Sequence, residues 1–232
     1  MLHLAAAAAL LLVAAAAGDP SGANGAANGA ANVAANVASN VAAIVKTGDI
    51  VLITSTSPQA KAIAAATRSP FTHTGVVVVE DGKPFVYEAA AKVQKTALAS
   101  FLKRAKPGSL ALRRVPDLDD ARAAKVVAAA RAKLGTPYDL AFSTTNDALY
   151  CSEYVRVVFA AAGVDVGAVE HVRDLDVNAQ PVRALIGARW KMHPVCKGDK
   201  SLGACLPKLL ASEIVTPASI ANDTRLESID VR

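Results

Sequence analysis

The stretch HTGVVVVEDGKPFVYEAA, residues 73–90, decides the fold. Two runs rich in β-branched and aromatic residues flank Asp81-Gly82, a dipeptide suited to the left-handed backbone of a tight hairpin turn. In an antiparallel hairpin centred there, positions whose numbers sum to about 161 to 163 face each other. His73, at the mouth of the first strand, then faces positions 88 to 90 of the second. That register brings a carboxylate, Glu88, beside an imidazole.

Outward from the hairpin, strand and helix signals mix without strict alternation. DIVLIT after Gly48 reads as a strand. Ser57-Pro58 reads as the start of a helix running to about Arg68, a cap followed by a first-turn proline. SLALRRV is another strand. Asp117 is the expected cap of a helix whose early acids Asp119 and Asp120 suit its positive dipole end, and which stops at Gly135. The last clear helix, CSEYVRVVFAAAG, opens at Cys151 and closes at Gly163. This order predicts an α+β fold, an antiparallel sheet packed beside helices, rather than a doubly wound parallel sheet.

The 232 residues, 53% hydrophobic and 19% charged, suit one good-sized core. A net charge of +5 and 4% aromatic residues give neither the basic stripe nor the stacking platform of a nucleic-acid binder. Residues 1–17, MLHLAAAAALLLVAAAA, read as a secretory signal cleaved after Ala17, although no Lys or Arg precedes the apolar run. The run is shorter than the ~20 residues a membrane span needs, so no stable span is expected after cleavage. Residues 18–45 read as an Ala/Asn-rich linker, with Asn24, Asn28, Asn32, Asn36 and Asn40 at intervals of four, and helical from about Val33. The folded domain is expected over 46–232, with a C-terminal extension from about residue 166. The chain is expected to be periplasmic or secreted.

Cys151 stands at the first turn of its helix, where unpaired N–H groups and the dipole favour the thiolate. A cysteine there is also an ordinary packed residue, a strand histidine an ordinary hydrogen-bonded group, and a strand glutamate an ordinary solvated one. Reactivity requires a base within reach and a group to orient that base. Of the four histidines, His3 lies in the signal, and His171 and His193 in the less regular C-terminal part. His73 with Glu88 meets the requirement.

The motifs GDIVLIT, AATRSPFTHTGVVV, VYEAA, LGTPYDLAF and YCSEYV, in that order, resemble the circularly permuted papain-like hydrolases related to the NlpC cell-wall peptidases. The histidine strand precedes the cysteine helix, the reverse of papain. The resemblance covers about residues 46–165 and implies Cys151 as nucleophile, His73 as general base and Glu88 as the third polar residue. Tyr138, in GTPYD, is then a candidate to line the site or bind an oxyanion, or else a packed aromatic. Glu153 is assigned the structural task of supporting the helix N-terminus. The chemistry implied is amide cleavage through a thioester, with neither metal nor cofactor. A cell-wall (peptidoglycan) peptide is the first substrate class. An acyl lipid, hydrolysed or transferred, is the alternative, and a non-catalytic wall-binding module is a further one. Among three cysteines in an exported chain, Cys196 and Cys205 are expected to form a disulfide and leave Cys151 free. A zinc site using His193, Cys196 and Cys205 competes with that pairing, but its fourth ligand is unassigned.

Overall fold

The computed structural model describes residues 35–231. The signal stretch and most of the Asn-Ala repeat lie outside them. A six-stranded antiparallel sheet forms the centre, in the order β4-β3-β2-β1-β5-β8. Its strands are β1 (Ile50–Ser55), β2 (His73–Glu80), β3 (Lys83–Ala89), β4 (Val93–Ala97), β5 (Ala105–Arg114) and β8 (Glu227–Ile229). In the central hairpin Val76 faces Tyr87 and Glu80 faces Lys83, so paired numbers sum to 163. Asp81 and Gly82 both take positive φ, 49° and 73°, as the turn requires.

Helices cover both faces of the sheet. Helix α5 (Cys151–Ala160) packs Tyr154, Val155 and Phe159 against Val76, Val78 and Tyr87. On the opposite face α1 (35–44) and α3 (Leu98–Leu102) pack Val41, Leu98 and Phe101 against Val51, Val77 and Val86. With both faces covered, β2 carries four consecutive valines in place of an alternating pattern. The helical end of the Asn-Ala repeat belongs to this packing. Val41 is fully buried and Val45 nearly so, each worth about 1.5–3 kcal/mol in transfer from water. The packed unit therefore begins ahead of Lys46, where the expected domain boundary lay. Val41, which stands where the early copies of the repeat carry glycine, supplies the apolar contact, while Val37 one turn earlier is exposed.

Two helix starts also differ from expectation. Helix α2 (Ala60–Thr67) begins after Gln59, with Ser57 in the preceding turn, where its carbonyl accepts from the Ala60 N–H. Helix α4 (Asp120–Ala132) is capped by Asp119, which accepts from the Arg122 N–H at 2.7 Å, whereas Asp117 takes a positive φ of 53° outside the helix. At α4 the cap therefore falls two residues later than expected, on the second aspartate of Asp117-Leu118-Asp119.

The C-terminal part adds α6 (Gln180–Arg189), α7 (Leu202–Ala211), α8 (Pro217–Ala221) and a small sheet of β6 (Val169–His171) with β7 (Glu213–Val215). β7 docks on the start of α5. The Val215 N–H donates to the Tyr150 hydroxyl at 3.0 Å, and the Val215 carbonyl accepts from Ser152 Oγ at 2.8 Å. Cys196 and Cys205 are joined, with Cα atoms 5.2 Å apart, and pin α7 to the preceding 3₁₀ turn. No helix among the described residues is long and apolar enough to cross a membrane.

Candidate active site

His73 opens β2 and Cys151 opens α5, so strand and helix deliver the two side chains to one end of the sheet. Both are buried. Nε2 of His73 lies 2.5 Å from Oε2 of Glu88, and the ring stacks on Phe101 with centroids 5.6 Å apart. The Cys151 side chain is the other group that acts on the ring's protonation, and with Nε2 taken by Glu88, Nδ1 is the nitrogen left to serve it. Burial disfavours the imidazolium, but the hydrogen bonds and charges of Cys151 and Glu88 outweigh it and raise His73 to about 9.

Glu88 is itself held from the other side. Its Oε1 accepts from Thr96 Oγ1 at 2.7 Å and from Arg104 Nη2 at 2.5 Å. Burial alone would raise this carboxyl; the contacts with His73 and Arg104 hold it down at about 2. Gly75 lies directly across the hairpin. A Cβ there would sit 2.5 Å from Val86 Cγ1, 2.9 Å from the Tyr87 carbonyl and 3.2 Å from Glu88 Cβ. The absence of a side chain at 75 gives Glu88 its passage to the ring.

Tyr138 is placed by backbone pairing. Its N–H donates to the Ala91 carbonyl at 3.3 Å, and it bridges Leu149, two residues before the thiol. Asp139 ties the loop that follows, accepting from the N–H groups of Ala141 and Ser143 and from Asn146 Nδ2. The Tyr138 hydroxyl accepts from Gln59 Nε2 at 2.7 Å, and Gln59 Oε1 accepts from Arg189 Nη1 at 3.1 Å. Burial first, then the charge of Cys151, raise the phenol well above its ordinary range, with Arg189 and Gln59 pulling the other way. Glu153 takes the structural position expected of it, its carboxylate accepting from the Tyr150 N–H at 3.3 Å. Burial, opposed by that hydrogen bond, raises it to about 8.

Beside Cys151 a cavity of ≈ 130 Å³ runs into the C-terminal part of the molecule. Ile63 and Ala66 of α2, Val182 and Ile186 of α6, and Leu206 and Leu209 of α7 are among its walls, and the lining is almost wholly apolar. Thr96, Arg104, Gln59, Arg189 and this cavity are the parts of the site that sequence reasoning missed.

The donor set proposed for zinc does not assemble. The Cys196 and Cys205 sulfurs are bonded to each other, and nearby Asp199 is engaged by Lys208 Nζ at 3.0 Å. His193 turns its Nδ1 to the Val195 N–H at 3.3 Å. Sulfurs spent on a disulfide are not thiolate ligands.

Residues 44–230 match the family described as permuted papain-like amidase enzyme, YaeF/YiiX, C92 family. The chain belongs to this family. It is 36% identical over 147 residues to a protein of Escherichia coli strain K12 described as uncharacterized protein YiiX, a span covering 62% of this chain and 73% of that one. It also superposes on the crystal structure of metalloprotein yiiX from Escherichia coli O157:H7, with a TM-score of 0.70 and 31% identity over 81% of this chain and 97% of the other. Membership makes the protein a papain-like cysteine hydrolase of the amidase/peptidase class with the permuted α+β fold. The antiparallel sheet, with the histidine strand ahead of the cysteine helix, agrees with the resemblance drawn from the motifs.

Proposed function

We propose that the enzyme cleaves an amide whose acyl side is apolar, with Cys151 as nucleophile, His73 as general base and acid, and Glu88 as the residue that orients His73. The observation carrying this reading is the apolar cavity that ends on Cys151. An acyl chain or large apolar side chain gains its transfer free energy there, whereas the charged termini of a cell-wall peptide would meet no charged partner in the lining. The thiolate attacks the carbonyl carbon, and the oxyanion is held by N–H groups at the start of α5 and by the Tyr138 hydroxyl. The C–N bond breaks, and the amine leaves with a proton from His73. Water, deprotonated by His73, then opens the thioester, releasing the acid and restoring the thiol. We place the enzyme outside the cytoplasm on the N-terminal apolar stretch and the Cys196–Cys205 disulfide.

Incubation with N-acyl amino acids of graded chain length and, separately, with muropeptides, read by mass spectrometry, tests the assignment. Release of free acid from the acyl amides, lost in Cys151→Ala, is the expected result. Cleavage of muropeptides alone would return the cell-wall peptide to first place. Turnover surviving in Cys151→Ala would overturn the nucleophile.

A further inference from the structure

The chain of contacts Arg189, Gln59, Tyr138 has a direction imposed by chemistry. A guanidinium donates and never accepts, so the Gln59 oxygen must face Arg189, 3.1 Å away. That orientation turns the Gln59 NH₂ toward Tyr138, 2.7 Å away, where the phenol oxygen can only accept. The hydroxyl proton then has to point elsewhere. No acceptor takes it among the described residues, and the backbone pairing of Tyr138 and its neighbours with Leu149, two residues ahead of Cys151, sets the phenol at the start of α5, where the Cys151 charge also acts on it. The Gln59 side chain, at the N-cap position of α2, does not cap its own helix; it is committed to this relay instead.

We infer that Arg189 and Gln59 are positioning residues that aim the Tyr138 hydroxyl proton at the oxyanion formed on the Cys151 thioester pathway. Arg189 ends α6, which lies in the C-terminal extension and also walls the apolar cavity. The extension thus carries both the acyl site and the group that sets the oxyanion donor. Without the guanidinium, the amide is free to turn over and present its oxygen to Tyr138. The phenol would then donate backward into Gln59 and leave the oxyanion one hydrogen bond short. The inference rests on the thioester reading given above.

The test uses the full-length protein and para-nitrophenyl octanoate, with iodoacetamide alkylation of Cys151 measured alongside. Alkylation displaces iodide without forming an oxyanion, so it reports thiol and His73 separately from the donor. Gln59→Glu keeps the Arg189 contact but offers Tyr138 only acceptors. It and Arg189→Met should each lower kcat by about tenfold or more, toward the about 10²–10³-fold loss typical of removing one oxyanion donor. KM and the alkylation rate should stay within about twofold. Arg189→Lys, still a pure donor, should retain most activity. In a Tyr138→Phe background neither Gln59→Glu nor Arg189→Met should cost anything further. Additive losses in that background, or alkylation falling in step with hydrolysis, would overturn the relay. Hydrolysis that survives Cys151→Ala would instead fail the thioester reading, a separate result.

Discussion

Replacing Glu88 with glutamine alters one terminal group, and the surroundings dictate which way the new amide must face. Arg104 and Thr96 are both donors to Oε1 in the native site, at 2.5 and 2.7 Å, and an arginine cannot accept. The amide oxygen therefore stays with them, and the NH₂ group takes the place of Oε2, facing Nε2 of His73. The ring must then accept at Nε2 and carry its proton on Nδ1, the nitrogen left for Cys151. Such a ring cannot take the thiol proton, and protonating it would set donor against donor. In the native protein the rise of His73 from 6.5 to about 9 corresponds to roughly 3 kcal/mol in favour of the imidazolium. Cys151 and Glu88 share that gain, and the variant loses the Glu88 share while leaving the Arg104 charge uncompensated. Nitrogen-15 NMR of the His73 ring should follow this directly. The wild-type ring should stay protonated up to about pH 9; the ring in Glu88→Gln should lose its proton at least about one pH unit lower. Turnover should fall by up to about 10⁴-fold, the cost of tautomer inversion in Ser-His-Asp hydrolases. Arg104→Met in the same chain should partly restore both, because the amide is then freer to turn over. A His73 ring in Glu88→Gln that titrates and hydrolyses like the native one would refute the argument.

Gly75→Ala should destabilise the fold by about 1–3 kcal/mol in urea unfolding, since the new methyl group meets Val86 and the Tyr87 carbonyl. Activity should fall beyond the folded fraction as Glu88 is displaced, and full activity would show that the passage at 75 is not required. The raised His73 means that its contribution to stability is present below pH ~6.5 and fades as pH rises through about 9. His73→Ala should flatten the unfolding free energy over that window, and an unaltered slope would exclude the ring as its source. Thiol counting in denaturant without reductant should find one free sulfhydryl, that of Cys151. Cys205→Ser should cost about 2.5 kcal/mol of stability, from the entropy of the closed loop; three free thiols would reject the pairing.

The residues that sequence reasoning reached share one property: short-range rules place them. Strand pairing across a two-residue turn converts numbering into geometry, so the approach of Glu88 to His73 was legible from Asp81-Gly82 alone. The start of α5 at Cys151 was marked by the change from turn residues to an apolar helical run. The α+β class followed from the order of such local signals, and the family motifs joined Cys151 to His73. Tertiary structure decided the rest. Gln59 meets Tyr138 across 79 positions and Arg189 across 130, and Arg104 reaches Glu88 only because α3 folds back over the sheet. No periodicity links such residues, because their meeting depends on how helices lie against a finished sheet. The apolar cavity arises in the same way: its walls on α2, α6 and α7 each read as an ordinary core face. Packing brings those faces round a space instead of against one another. An apolar side chain looks the same in sequence whether it meets a neighbour or lines a void, so the cavity beside Cys151 became visible only when the helices were placed.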